Sequence, residues 1–167
     1  MGKRNTSAAG DAKAILNRIR QLVRALRAFE KEAQTRYGIG AAQLFIVHVL
    51  QQEAELSVNE LAERTATDQS SASLAVTRLV EEGYVRRSAG KEDRRQVRLS
   101  LTPRGRALVR RSPPAAQEKI MDAAAAMSAA ERTQLLRLLG KLMSGLGADE
   151  ERAPLLFQDE PARKRRR

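Results

Sequence analysis

The most chemically distinctive part of this sequence is a basic segment that extends from Tyr84 to Ser112. It holds ten Lys or Arg residues and two acidic residues, and so carries +8 of the total net charge of +11. Such a compact cluster of cations binds a polyphosphate backbone, because each neutralised phosphate releases a condensed counterion. The segment therefore predicts a nucleic-acid contact. A charged hairpin exposed to water is the alternative that charge alone leaves open.

The remaining composition narrows the class of protein. Among the 167 residues there are no cysteines, one histidine, two Tyr and three Phe. No phosphate-binding glycine loop and no spaced set of metal ligands occurs, so we expect no enzyme activity, no metal and no cofactor. So few aromatic residues also disfavour a protein that stacks the bases of single strands. Double-stranded DNA is the predicted partner.

The sequence also bears on location. No apolar stretch is long enough to cross a bilayer, and residues 1–10 are polar without a hydrophobic segment behind them. The absence of cysteine fits a reducing compartment. We expect a soluble cytoplasmic protein that does not contact membranes.

Hydrophobic spacing and helix-end signals indicate the elements that must position the basic segment. Apolar residues at helical intervals predict a long first helix that ends near Gly38 and a second helix over residues 41–52. Ser57 and Glu60 form a capping box at the start of a short third helix, after a very short strand. A fourth helix is predicted over residues 69–82, so two short helices meet at a tight turn.

The basic segment itself begins with a strand pattern. Its apolar residues alternate with polar ones, which predicts a β-hairpin with a charged tip at residues 90–95. Thr102 and Pro103 then start a helix, as N-cap and first helical residue. Pro113-Pro114 is expected to interrupt that helix. A second capping box at Ser128 opens a last helix, which has a broad apolar stripe.

Helix, helix, short strand, helix, helix, hairpin and helix is the order of a winged helix-turn-helix with helical additions. Parts of the sequence resemble the MarR-type transcriptional regulators over about residues 13–147. The most specific part is the wing, with an Asp-x-Arg tip, a Leu-x-Leu-Thr strand end and a Gly two residues after the Pro. The matching segments are Asn59–Arg64, Asp68–Gly83, Asp93–Arg95 and Leu99–Gly105.

The resemblance implies a mainly α fold with a small β-hairpin wing, flanked by N- and C-terminal dimerisation helices. Composition predicts that both chain ends are flexible tails. The final basic run, Arg163–Arg167, either contacts phosphates without sequence preference or only keeps the end soluble. The assigned regions are a helical dimerisation region at 13–38 and 104–147, a winged helix-turn-helix domain at 39–103, and tails at 1–12 and 148–167.

The first and last helices are too apolar for the surface of a monomer, and a two-fold interface between copies would cover both. The resemblance likewise implies a symmetric homodimer in which these helices interlock. Packing of the two helices on each other within one chain is the alternative. The expected interface residues are Ile15, Ile19, Leu22, Leu135, Leu139, Leu142 and Leu146.

The fourth helix is the expected recognition helix, which enters the major groove with its N-terminal residues at the base edges. Gln can bond adenine in a bidentate manner, Ser can serve either base, and free backbone amides can hold a phosphate. Either Thr67 or Asp68 can cap this helix, and a base contact is the alternative role for Asp68. Leu74 departs from similar proteins, many of which carry Arg near this position. The candidate contact residues are Gln69, Ser70, Ser71, Ser73, Thr77 and Arg78.

The wing is expected to reach an adjacent minor groove. By the family resemblance, Arg95 is the better candidate for insertion, and Asp93 orients an arginine. The other basic side chains either hold phosphates or are solvated. The candidate wing residues are Arg86, Arg87, Lys91, Asp93, Arg94, Arg95 and Arg98.

These features predict a sequence-specific regulator, a repressor, that acts as a homodimer on a pseudo-palindromic operator. A low-specificity architectural protein that coats DNA through the same wing is the alternative. Similar regulators often release DNA when they bind a small aromatic or phenolic anion. For His48 a hydrogen-bonded core position is the other interpretation. Candidate effector contacts are Tyr37, Phe45, His48, Arg20 and Arg24.

Overall fold

The computed structural model describes residues 3–90, 96–147 and 153–157. It is mainly α-helical, with one antiparallel hairpin. Its elements are α1 (Lys3–Tyr37), α2 (Ala41–Gln52), α3 (Val58–Arg64), α4 (Gln69–Glu81), β1 (Val85–Ala89), β2 (Val97–Leu101), α5 (Pro103–Arg111), α6 (Ala116–Ala125) and α7 (Ala129–Gly145).

Helix α2 lies at the centre of the core. It is apolar around most of its circumference, and nearly every residue from Ala41 to Leu50 is buried. It packs against α1, α3, α4, α5, α6 and β2. A helix that is apolar on all sides must be enclosed by other elements, so α2 is the support for the helix-turn-helix.

The predicted helix starts are confirmed by their caps. Ser57 accepts a hydrogen bond from the Glu60 amide and Glu60 accepts one from the Ser57 amide, which completes the capping box of α3. Thr102 caps α5 by accepting from the Gly105 amide at 3.1 Å. Each cap satisfies amides that a helix start leaves without intrahelical partners, so these short helices begin at defined residues.

The predicted hairpin and the helix interruption are also confirmed. Strands β1 and β2 pair in an antiparallel register that sets Val85 opposite Leu101. The very short strand before α3 is present as a single bridge between Leu56 and Leu99. Helix α5 ends before Pro113-Pro114, and α6 begins beyond them. Proline cannot donate the next helical hydrogen bond, so the chain changes direction here.

Parts of both predicted tails lie within the described residues. Helix α1 already begins at Lys3, because alanine-rich sequence such as Ala8-Ala9 without proline favours continued helix. In the C-terminal tail, residues 153–157 pack on the core through Leu155, which is only 5% exposed. The rest of both predicted tails, including Arg163–Arg167, lies outside the described residues.

Two further observations concern the described ranges alone. None of their helices is both long and apolar enough to cross a membrane. Across the same ranges, no group of three or more His, Asp or Glu residues is arranged to hold a metal ion.

Candidate nucleic-acid interface

The recognition helix α4 is fixed at its start by Asp68. One carboxylate oxygen of Asp68 accepts from the Ser71 amide at 2.8 Å, and the other accepts from the Ser71 hydroxyl at 2.6 Å. These hydrogen bonds to Ser71 hold the pKa of Asp68 below its usual value. The predicted capping role of Asp68 is therefore confirmed. Ser71, a candidate DNA contact, uses its hydroxyl proton within the cap.

The two sides of α4 differ in burial. Ala72, Ala75, Val76 and Leu79 anchor the helix in the core. On the opposite side, positions i, i+3, i+4 and i+7 form one stripe of mostly short, partly or fully exposed side chains. This stripe, which we call the recognition stripe, consists of Ser70, Ser73, Leu74 and Thr77.

The remaining candidates on α4 flank the recognition stripe. Gln69 is exposed at the first helical position, where it adjoins the free amides of the helix start. Arg78 lies to one side and lines a cleft between α4, the end of α1 and the start of α2. Of the predicted residues, Ser70, Ser73 and Thr77 are thus brought together, and Arg78 is set apart from them.

Side-chain hydrogen bonds at the root of the wing join it to the recognition helix and join its two strands. Arg87 on β1 donates to the Thr77 hydroxyl at 3.0 Å. Arg86, one residue earlier, donates to the Ser100 hydroxyl on β2 at 3.0 Å. Both arginines are exposed, so their guanidinium groups are oriented and still open to an anion.

Arg98 has a structural partner that sequence reasoning missed. Its guanidinium lies 2.7 Å from the Glu60 carboxylate, and it also donates to the carbonyl of Glu55. The contact ties β2 to the start of α3, so Arg98 is less free to bind a phosphate than the other described wing arginines. The predicted tip residues Lys91, Asp93, Arg94 and Arg95 lie outside the described residues, and their roles stay predictions.

Known proteins identify the class of this chain. Residues 37–96 match the model of the MarR family. The chain is also 31% identical over 120 residues to a Thauera aromatica protein assigned to transcriptional regulation of the hcr operon, with 72% of each chain covered. The chain belongs to the MarR family of transcriptional regulators. It is therefore a DNA-binding protein with a winged helix-turn-helix fold.

Two further relatives show how far the likeness extends. This MarR-family chain is 35% identical over 74 residues to the HTH-type transcriptional repressor MdtR of Bacillus subtilis. The matched residues make up 44% of this chain and 48%, about half, of MdtR. A solved structure of Bordetella bronchiseptica BpsR is 27% identical and superposes with a TM-score of 0.54, covering 75% of this chain and 90% of that one. The structure of BpsR concerns regulation of its DNA binding by 6-hydroxynicotinic acid.

Glu60 connects the wing of this MarR-family protein to its helix-turn-helix electrostatically. Hydrogen bonds from the side chain and backbone of Ser57, together with the Arg98 guanidinium, lower the pKa of Glu60 to about 2. A carboxyl whose folded-state pKa is depressed stabilises the fold above its unfolded pKa. That stabilisation is lost as the pH falls through the folded value. For Glu60 the window extends from about pH 4.5 down to about pH 2.

We therefore expect Glu60→Gln to lower the free energy of unfolding at pH 7 by roughly 0.5–1 kcal/mol, a small effect because the Glu60 side chain is 47% exposed. Glutamine keeps the capping acceptor and removes only the charge. Urea unfolding at a series of pH values measures the difference, which should shrink between pH 4.5 and pH 2. Glu63→Gln, at an exposed position of α3, is the control. Equal losses in both variants would contradict a specific Glu60–Arg98 contact.

His48 is held in the core by partners on both ring nitrogens. Its Nδ1 lies 2.8 Å from a Glu118 carboxylate oxygen, and its Nε2 lies 2.9 Å from the Ser112 hydroxyl. Burial raises the pKa of Glu118, but hydrogen bonds from His48 and the Ala115 amide outweigh it and leave that pKa below its usual value. The hydrogen-bonded core position expected as the alternative is the observed one. Through Ser112 and Glu118, His48 joins α2 to the end of α5 and the start of α6.

The candidate effector contacts are not gathered in one place. Phe45 lines a cleft of about 300 Å³ between α2 and α6, whose lining also includes Met121 and Glu118. Tyr37, on the last turn of α1, lines a separate and much smaller cavity. Arg20 and Arg24 are exposed on α1 and do not line either cavity. Of the candidate effector contacts, Phe45 alone lines the α2–α6 cleft. His48 is connected to that cleft only through its partner Glu118.

The predicted interface residues lie on the N-terminal part of α1 and on α7 with its C-cap Leu146, which their own chain leaves exposed. No residue of α7 is buried, and Leu146 is 72% exposed. On α1, Leu22 is 54% exposed, and Ile15 and Ile19 are exposed as well. Leu135, Leu139 and Leu142 complete the exposed stripe on α7. The alternative in which α1 and α7 cover each other within one chain therefore has no support in this arrangement.

Proposed function

We propose that this MarR-family regulator represses transcription by binding a pseudo-palindromic operator as a homodimer, and that a small aromatic or phenolic anion releases it. The observation that carries the proposal is the recognition stripe on α4, next to a wing that belongs to the most basic part of the chain. A narrow exposed helix face fits a major groove, and flanking cations fit the phosphates beside it.

The dimer is supported by the exposed apolar faces of α1 and α7. Contiguous apolar surface of this kind is uncommon on monomers and is covered in an oligomer. Two recognition helices related by a two-fold axis contact half-sites about one helical turn apart, roughly 34–36 Å. The operator is therefore expected to be an imperfect palindrome.

The effector is supported by the cleft beside Phe45, whose apolar walls suit an aromatic ring. Arg64 is the cation in this lining, which also carries the carboxylates of Glu53, Glu118 and Asp122. The BpsR relative, whose DNA binding is regulated by 6-hydroxynicotinic acid, favours a small aromatic acid as the first compound class to test. A ligand in this cleft would lie near Glu118 and therefore near the link between His48 and the α5–α6 junction.

Fluorescence anisotropy over a salt series tests the function directly. The full chain is titrated against a duplex from upstream of its own gene and against a scrambled duplex. A preference of about 10³ or more at physiological salt supports a sequence-specific regulator. Equal and steeply salt-dependent binding to both duplexes supports the architectural alternative instead.

We expect Arg95→Ala to weaken operator binding by about 1–3 kcal/mol, as for the loss of a specific base-pair or minor-groove contact. The same anisotropy titration measures it. Arg110→Ala removes an equal charge from an exposed position on α5 and is the control. If both variants lose the same affinity, Arg95 contributes only general charge and the wing assignment is wrong.

A further inference from the structure

A short C-terminal segment, Ala153–Phe157, lies against the helix-turn-helix. The Thr67 hydroxyl donates to the Ala153 carbonyl at 2.9 Å. Leu155 belongs to the main apolar cluster of the winged domain, and Phe157 forms part of the cleft that Arg78 lines. Five consecutive residues thus extend from the helix-turn-helix towards the α1–α2 junction.

The point of attachment is the turn that sets the angle between α3 and α4. Thr67 lies between the last residue of α3 and the Asp68 cap of α4, and it is almost fully buried. Ala66, beside it, has a φ of 52°, a left-handed conformation that costs free energy in a residue with a Cβ atom. Backbone hydrogen bonds from the Ala66 and Thr67 amides to α3 hold the turn from one side, and the bond from Thr67 to Ala153 adds a contact from the C-terminal segment.

The sequence of the segment suits this role. Pro154 restricts the backbone before docking, so less conformational entropy is lost when the segment is ordered. Leu155 is buried, whereas its neighbour Leu156 is 37% exposed, so one side chain provides most of the apolar anchoring. Phe157 shares its cleft with Ala75 and Arg78 of α4, which places an aromatic ring beside the recognition helix.

We propose that Ala153–Phe157 is an intramolecular strap that fixes the α3–α4 turn and thereby the recognition helix, so that DNA affinity depends on its docking. The surface formed by the α3–α4 turn and the cleft beside Arg78 is therefore occupied by a segment of the same chain. The docking part stands on contacts within the free protein, and only its effect on DNA rests on the proposed function.

Hydrogen exchange on the full-length protein tests the docking without DNA. Leu155→Ser should lower the protection of the hydrogen-bonded amides of Ala66, Thr67, Ser71 and Ala72 at least tenfold, whereas Leu156→Ser should leave it unchanged. Unchanged protection in Leu155→Ser would overturn the docking. Because Leu155→Ser also removes core contacts, Thr67→Val provides a second variant of nearly the same shape, which should also lower protection in the turn. Thr65→Val, whose hydroxyl bonds only within α3, is its control.

The same variants are then titrated with an operator duplex. Leu155→Ser is expected to bind about tenfold more weakly than the wild-type chain, with Leu156→Ser unchanged. Lost protection together with unchanged affinity would overturn the coupling to DNA while leaving the docking intact. If the wild-type chain shows no operator preference, the proposed function and the coupling fail together, and the exchange result still decides whether the segment docks.

Discussion

Leu142→Asp should convert the proposed homodimer to a monomer of 18.5 kDa and lower operator affinity about 10²–10⁴-fold. Leu142 lies within the α7 stripe and is 38% exposed in the single chain, so a partner helix would cover it. An unpaired carboxylate buried there would cost roughly 3–5 kcal/mol. A monomer contacts one half-site and loses the gain in effective concentration that a linked second site provides.

Ser144→Asp introduces the same charge on the same helix and is the matched control. It is two residues, or about 200°, from Leu142 on α7, so its side chain points away from the stripe. Sedimentation measures the mass of each variant and anisotropy measures the affinity. A wild-type chain that sediments at 18.5 kDa at every concentration would remove the dimer, and monomeric Ser144→Asp would show that the effect is not specific to the stripe.

Gly105→Ala should lower the free energy of unfolding by about 3 kcal/mol, the upper range for overpacking. A Cβ atom at Gly105 would lie 2.2 Å from the carbonyl oxygen of Tyr84, and this neighbour is backbone that cannot rotate away. The same carbonyl accepts from the Thr102 amide at 3.0 Å. Moving it would therefore disturb the start of α5 and the root of the wing together.

Gly140→Ala is the matched control for this substitution. Gly140 lies within α7, and apart from the adjacent residues and the nearby backbone of α7 itself, a Cβ atom there would meet no described atom within 4 Å. Alanine should raise the stability by roughly 0.5–1 kcal/mol, because it favours the helix over the unfolded chain. Urea unfolding compares the two variants. Similar stability changes in both would show that the close approach at Gly105 does not constrain the fold.

The helix starts and the hairpin were accessible from sequence because their signals are local. Ser57, Asp68 and Thr102 bond to amides three residues ahead, so each cap is visible in four consecutive letters. Gly105 is part of the wing pattern seen in the sequence, but why this position requires glycine is visible only in the structure. The close approach to Tyr84 joins residues 21 positions apart.

Contacts between distant residues could not be predicted. Arg98 and Glu60 are 38 positions apart, and His48 meets Ser112 across 64. Nothing in the run after residue 147 indicated that Leu155 would join the core, because its charged and proline-containing surroundings are typical of a tail. In each case the role of the side chain depends on a contact with a residue distant in sequence. Its neighbours along the chain do not indicate that contact.

The arginine–hydroxyl contacts at the wing root have a consequence for the thermodynamics of binding. Fixing an arginine side chain costs roughly 2 kcal/mol in rotamer entropy. The contacts of Arg87 with Thr77 and of Arg86 with Ser100 restrict these rotamers before DNA arrives. The recognition stripe, made mainly of small side chains, has little rotamer freedom to lose. The recognition stripe and the wing root are thus largely preorganised, so ordering their side chains adds little to the entropic cost of binding.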